Sequence, residues 1–349
     1  MLISSLNLVN YRNHKVRELH FNPGINVITG ENGTGKTNIA EAIYYLSLAR
    51  SFRGVEDSDL ITKGEEYSVI SSRVNEGLIK RDIRILITKK GRQVLVNEKK
   101  VSKLSELAKI VNVLLFEPKD VLLFRGSPKE RRDFLDISLS KKFPAYLENI
   151  SRYQKILKER NEILKSVNVD KNLLDSTTEM LIKYQGPIIK FRAQYVKDIN
   201  DILIKITRAL TGVKGVIEIH YKPFVEMGDN FESEALSAYN HALEGDLKHK
   251  VTSIGIHRED FSVTLNGRDI GTFGSQGENR LVALALKLSP YFLIEDKDKR
   301  PIVVLDDVMS ELDKNHQTRL ITFLKKFDQV FITATKLEID GATHIKIEK

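Results

Sequence analysis

Two hydrophobic rhythms divide the chain. Residues 2–10 and 24–29 read as strands, with Asn22-Pro23-Gly24 supplying turn chemistry between them. The apolar run Ile25–Thr29 leads straight into a glycine-rich loop. After that loop Ile39, Ile43, Leu46 and Ala49 or Arg50 follow at three- and four-residue spacing, which predicts a helix. Tyr67–Val74, Ile79–Thr88 and Arg92–Val96 are β-like and are separated by Asn75-Glu76-Gly77 and Lys90-Gly91. Alternation over Arg81–Thr88 predicts a sheet with one wet face.

From about residue 128 the period changes. Tyr146, Ile150, Tyr153, Leu157, Leu164 and Val167 recur at helical spacing, with Arg160 in one slot. A second stripe runs through Leu181, Tyr184, Ile188, Phe191, Tyr195, Ile199, Ile202, Ile206 and Leu210. Both are heptad-like, and Asn168–Asn172 is the expected turn of an antiparallel helical hairpin. Gly186-Pro187 should either kink the second helix or mark its start. Residues 213–224 and 251–271 return to β character, with Asn266-Gly267 as a hairpin signal. Pro301–Val308 reads as a buried strand ending in two carboxylates, 315–327 as a helix and Gln329–Thr335 as another buried strand.

Composition narrows the class. Of 349 residues, 41% are hydrophobic and 29% charged, as expected of a globular protein with a real core. The absence of cysteine excludes a disulfide framework and a thiolate metal site, and fits a reducing, cytoplasmic setting. The first residues do not form a secretory signal, and no apolar run is long enough to span a membrane. The net charge of +8 says little by itself, but residues 80–103 hold nine Lys or Arg against Asp82 and Glu98. That local surplus makes Arg92, Lys99 and Lys100, on the predicted hairpins, candidate nucleic-acid contacts.

The chemistry concentrates in Gly30-Glu31-Asn32-Gly33-Thr34-Gly35-Lys36-Thr37, a full P-loop pattern between a strand and a helix. Glycines let backbone N–H groups and the helix N-terminus close around phosphate oxygens. Lys36 supplies charge to the β- and γ-phosphates of ATP, and Thr37 a hydroxyl to Mg²⁺. A hydrophobic strand beside the P-loop strand would deliver Asp306 to the same Mg²⁺. Asp307 would then orient or deprotonate the attacking water, so Lys36 and Asp307 are the candidate catalytic residues. Thr37 and Asp306 stand 269 residues apart, which implies that the helical hairpin is inserted into one head built from both chain ends. The expected division is 1–127 and 212–349 for a two-lobed head, and 128–211 for the arm.

Three further motifs follow the P-loop in order: Gly274-Ser275-Gln276-Gly277-Glu278, Asp306-Asp307, and Ser310-Glu311-Leu312-Asp313. This order resembles that of ABC-type ATPases, in which the first of the three is the signature and the last the D-loop. More narrowly, Leu6–His14, Arg50–Gly54, Phe116–Asp136, Ile256–Ile270 and Leu305–Asp313 resemble the RecF family of bacterial recombination mediators over essentially the whole chain. The resemblance implies an α/β fold: an ABC-type P-loop ATPase head of mixed sheet and helices with a β-rich lobe, carrying an inserted helical arm. It implies an ATP-dependent head-to-head homodimer in which Ser275, Gln276 and Gly277 reach the nucleotide of the other copy. It also implies binding to double-stranded and gapped DNA, and action with RecR and RecO to load RecA.

The chain departs from the wider ABC pattern in two places. Ala334 and Thr335 stand where a switch histidine is usual, and Leu114–Leu122 shows no Q-loop glutamine. Both losses imply slow hydrolysis that resets a switch. Thr333 or Thr335 could meet the γ-phosphate instead. Arg12, Arg50 and Arg53 fit either phosphate or DNA contacts or ordinary ion pairs. His257 and Arg258 fit either catalysis or a packed turn, and Lys129, Arg131 and Arg132 either a binding surface or a charged first turn. The rival classes are the nucleotide subunit of a membrane transporter and an SMC-type chromosome scaffold. The helical hairpin and missing histidine argue against the first, and the short arm against the second.

Overall fold

The computed structural model describes residues 1–102, 104–212 and 215–348. In chain order the strands are β1 (Leu2–Tyr11), β2 (His14–His20), β3 (Gly24–Thr29), β4 (Tyr67–Glu76), β5 (Ile79–Thr88), β6 (Gly91–Val96), β7 (Lys99–Lys100), β8 (Val113–Phe116), β9 (Ile217–Lys222), β10 (Asp260–Leu265), β11 (Arg268–Asp269), β12 (Ile302–Asp306), β13 (Gln329–Ala334) and β14 (Thr343–Lys346). The helices are α1 (Lys36–Leu48), α2 (Leu104–Ile110), α3 (Pro128–Lys142), α4 (Pro144–Lys165), α5 (Lys171–Thr211), α6 (Phe231–His249), α7 (Ile270–Phe273), α8 (Gln276–Phe292) and α9 (Lys314–Leu324).

The chain forms two compact units. The first takes Met1–Val121, Lys205–Lys214 and Gln276–Lys349. Within it, β2-β1-β4-β5-β6-β7 make an antiparallel sheet and β14-β3-β13-β12-β8 a parallel one. Alternation in β5 buries Ile83, Ile85 and Ile87 and leaves Lys80, Asp82 and Arg84 exposed. Every residue of β12 and β13 is buried, as expected of the central strands of a parallel sheet covered on both faces. One apolar core joins Leu6, Leu8, Ile70 and Ile85 of the antiparallel sheet to Ile39, Ile43 and Leu46 of α1 and to Ile28, Val304 and Phe331 of the parallel sheet. Helix α1 therefore lies between two sheets and is buried around most of its surface.

The parallel sheet corrects one expectation. Strand β12 does not neighbour β3, because β13 lies between them: Ile332 pairs with Val27 on one side and Leu305 on the other. Short β8, which no period announced, pairs with β12 at the sheet edge. Strand β2 was also unannounced; it pairs with β1 through a tight turn at Arg12-Asn13.

The second unit takes Leu122–Ile204 and Gly215–Ser275. The expected arm, 128–211, differs from it: Lys205–Thr211 belong to the first unit, while the small sheet β11-β10-β9 and α6 fold with the helices. Buried ion pairs give the physical reason. Arg192 of α5 reaches Asp136 of α3 at 2.8 Å and Glu259, which precedes β10, at 2.6 Å. Arg160 of α4 reaches Asp246 of α6 at 2.8 Å. The first helical stripe, Tyr146 to Leu164, lies on α4 alone; α3 precedes it as a separate helix, with the break at Phe143 and Pro144 opening α4. The second is one helix of 41 residues that runs through Pro187. Burial of Leu181, Ile188, Tyr195, Ile199 and Leu203 on either side outweighs the roughly 3 kcal/mol that an internal proline costs. Gly186 admits the ring of Phe231, which would lie 3.2 Å from a Cβ there. The sequence hides α6 because its buried face is only Phe231, Ala235, Tyr239 and Asp246.

Candidate functional site

Residues 30–35 connect β3 to α1, and two positive φ angles shape the loop: 83° at Gly33 and 101° at Gly35. At Gly35 a side chain is excluded twice over, since a Cβ would also lie 2.5 Å from Asn13 Oδ1 and His14 Nε2. The Lys36 ammonium donates to the carbonyl oxygens of Gly30 and Glu31 at 2.8 Å each. Thr34 Oγ1 donates to the Glu31 carbonyl at 2.9 Å. Glu31, Asn32 and Gly33 are exposed, and Asn32 Oδ1 accepts from Thr335 Oγ1 at 3.4 Å.

The β1–β2 turn braces this loop, a role the sequence did not disclose. Asn13 Nδ2 donates to the Gly33 carbonyl at 3.3 Å, and His14 Nε2 lies 3.2 Å from the Gly35 carbonyl. Because a carbonyl only accepts, that ring nitrogen carries the proton. Burial lowers the His14 pKa. Behind the loop, the buried Glu41 of α1 accepts two bonds from Arg12, at 2.8 and 2.7 Å, and one from Ser51 at 2.5 Å. Arg53 lies 3.9 Å from the same carboxylate. Arg12 and Arg53 are therefore engaged within the fold, while Arg50 is exposed.

Asp306, the last residue of β12, is buried, and its pKa is raised mainly by that burial. Hydroxyl groups of Thr333 and Thr37 hydrogen-bond it, and the charge of Arg53 also favours its ionised form. Among the described residues no cationic side chain forms an ion pair with Asp306. Asp307 turns out of the strand with φ 49° and is exposed. Left-handed backbone is uncommon for a residue with a Cβ, although Asp tolerates it better than most. A buried carboxylate without a partner cation, a neighbouring threonine hydroxyl and a second carboxylate make a hard-oxygen donor set that fits Mg²⁺. The P-loop backbone fits a polyphosphate.

The 274–280 motif opens α8, with Ser275, Gln276, Gly277 and Glu278 exposed. Two features fix its surroundings. Arg125 donates to the carbonyls of Gly271 and Gly274 at 3.1 and 2.8 Å. Arg280 forms an ion pair with Glu311 and donates to its carbonyl, which ties α8 to the 310–313 motif. Asp313 caps α9 by accepting from the His316 N–H at 3.0 Å.

The other candidates sort by pairing. Arg92 is held by Asp57 at 2.6 Å, so its charge is partly spent inside the fold. Lys99 and Lys100 are exposed opposite the far end of β6, presented by a turn with positive φ at Asn97 and Glu98. Arg73 pairs with Asp82 and Arg81 with Glu76, whereas Lys80, Arg84, Lys89 and Lys90 are exposed. Lys103, counted in the basic cluster, lies outside the described residues.

His257 belongs to a packed turn. Its Nε2–H donates to the Thr252 carbonyl at 3.0 Å, so Nδ1 accepts from Tyr153 at 2.6 Å. Burial pushes its pKa down to about 4. Arg131 binds Asp260 through two bonds and Arg132 the Glu259 carbonyl, so these two charges are internal braces. Lys129 pairs with Asp133 on the surface of α3.

These features place the chain beside known proteins. The RecF/RecN/SMC N terminal domain family matches residues 2–343. Two solved Smc head domains share the fold at TM-score 0.57, with 19% and 18% identity over 96% of this chain and 89% and 90% of theirs. The fold and its motifs define an ABC-type P-loop ATPase head. The DNA replication and repair protein RecF of Geobacillus kaustophilus (strain HTA426) is 37% identical over 100% of this chain and 96% of its own length. That of Clostridium novyi (strain NT) is 37% identical over 97% and 94%. A solved structure of the recombination mediator protein RecF-ATP in the RecFOR pathway superposes with TM-score 0.90 at 32% identity, over 99% of this chain and 95% of that one. The chain belongs to the RecF family.

Proposed function

We propose that this chain is an ATP-dependent DNA-binding protein of recombinational repair, working as a switch. ATP with Mg²⁺ binds residues 30–37, with Lys36 on the phosphates and Thr37 and Asp306 on the metal. Asp307 orients the attacking water. The observation that carries this reading is the buried Asp306 carboxylate, which among the described residues has hydroxyl partners but no paired cation. A site so built gains most when a cation arrives together with phosphate oxygens.

The exposed Ser275, Gln276 and Gly277 open a second helix N-terminus suited to phosphate. In our reading they meet the nucleotide of a second copy, so two ATP molecules close a head-to-head homodimer. Closure brings Lys99 and Lys100 of both copies onto double-stranded and gapped DNA, with preference for single-strand/double-strand junctions. Slow, weakly DNA-stimulated hydrolysis reopens the dimer. RecR and RecO are the expected partners and RecA the protein loaded, in the cytoplasm. Family membership supports this reading over a transporter subunit or an SMC scaffold. Among the described residues no helix is long and apolar enough to cross a membrane.

Sedimentation with and without ATP, paired with anisotropy on gapped DNA, tests the reading. ATP should convert monomer to dimer and tighten DNA binding, and Ser275→Arg should bind ATP without dimerising. A dimer indifferent to ATP, or one that persists in Ser275→Arg, would remove the switch. Reversing Lys99 and Lys100 to Glu should weaken DNA binding and flatten its salt dependence by roughly one unit of slope per lost phosphate contact.

A further inference from the structure

The strand between β3 and β12 carries, one residue before its end, a side chain that touches both aspartate positions. Thr333 of β13 is buried and stands in ladder register with Asp306. Its hydroxyl donates to Asp306 Oδ1 at 2.6 Å and accepts the backbone N–H of Asp307 at 3.0 Å. One hydroxyl has one proton and two lone pairs, so both bonds form together in only one sense. Asp307 is held from its other side as well, since Ser310 Oγ donates to its carbonyl at 3.0 Å. Its left-handed backbone, φ 49°, is the geometry these two bonds fix. Thr333 therefore does not have its proton to give to a phosphate, whereas Thr335 faces Asn32 of the loop.

We propose that Thr333 is a positioning residue for the metal and water site: one hydroxyl aims the Asp306 carboxylate at the cation and locks the turn that presents Asp307. The inference rests on the ATP–Mg²⁺ reading above. It gives the end of β13 a role different from that of a histidine meeting the γ-phosphate, because Thr333 acts through the two aspartates. Outer residues that orient a metal ligand characteristically change metal affinity or turnover by about 10- to 100-fold.

Thr333→Val keeps the shape and removes the hydroxyl, and Thr333→Ser keeps the hydroxyl. Three readouts separate aiming from simple packing. Amide hydrogen exchange of the 306–309 backbone, without nucleotide, should speed up at Asp307 by about tenfold or more in Thr333→Val. Titration with a fluorescent ATP analogue should give an affinity in EDTA within about twofold of the parent, but a Mg²⁺ half-saturation raised about tenfold. Turnover should show kcat reduced about 10- to 100-fold with little change in KM. Thr333→Ser should restore all three. Parental Asp307 exchange and Mg²⁺ half-saturation in Thr333→Val overturn the inference, as does a Thr333→Ser as impaired as the valine variant. If the parent binds no nucleotide, the ATP reading fails instead. Faster Asp307 exchange then still supports the contact, and unchanged exchange still refutes it.

Discussion

The buried carboxylate that ends β12 is treated in the opposite way to those of the second unit. In the second, Glu259 takes Arg192, the Tyr221 hydroxyl and the Phe224 N–H, and Asp246 takes Arg160 together with the Ser253 N–H and hydroxyl. Arg192 in turn also meets Asp136, the Tyr146 hydroxyl and the Ile256 carbonyl. Each charge there is answered inside the fold. In the first unit Glu41 is likewise answered, by Arg12 and Ser51, but Asp306 is also buried, and among the described residues the groups that hydrogen-bond it are hydroxyls. A fully satisfied polar cluster specifies one packing, whereas a buried charge short of a counter-charge is a place for a ligand. The contrast explains why Arg131, Arg132 and His257, in stretches as motif-like as the P-loop, turn out to be braces.

The contrast breaks most sharply at Arg192. Arg192→Leu leaves Asp136 and Glu259 without their cation and should cost about 3–5 kcal/mol in denaturant unfolding. A loss below about 1 kcal/mol would mean the cluster is not held by charge. His257 is the next largest case. Its folded pKa of about 4 lies below the ordinary 6.5, so only the unfolded chain takes up the proton between those values. Stability should therefore fall as pH drops from about 6.5 to about 4, by about 3 kcal/mol at most, and level off below. His257→Gln keeps both hydrogen bonds in the neutral sense and should flatten that slope; an unchanged slope would assign it to other groups. Lys36 gives the smallest stability effect and the clearest functional one. Lys36→Met should lower ATP affinity by about tenfold or more while moving the unfolding midpoint little. Equal losses in both would erase the distinction between site and core.

Local signals announced much of this. The P-loop, the continuous apolar runs of β12 and β13, the alternation of β5 and the Asn266-Gly267 hairpin each rest on backbone chemistry or a short period. Each is visible within ten residues. What stayed hidden has a physical reason in every case. Four-residue β8 carries too few residues to show a period, and the buried face of the 19-residue α6 is only Phe231, Ala235, Tyr239 and Asp246, too sparse to show one. Nothing local reveals that Asn13 and His14 brace Gly33 and Gly35, because that contact is made by a strand turn brought in from outside the loop.

By itself the sequence determined the phosphate loop, the strand that delivers two aspartates, the basic hairpins and the helical stripes, since these follow from side-chain period and glycine geometry. Tertiary structure alone decided strand order, and with it which residue stands beside Asp306. Parallel strands far apart in sequence pair by burial on both faces, so adjacency cannot be read along the chain. It also decided which charges are spent. A guanidinium looks the same in the sequence whether it faces water or, like Arg192, closes a buried cluster, and only its packed surroundings tell the two apart.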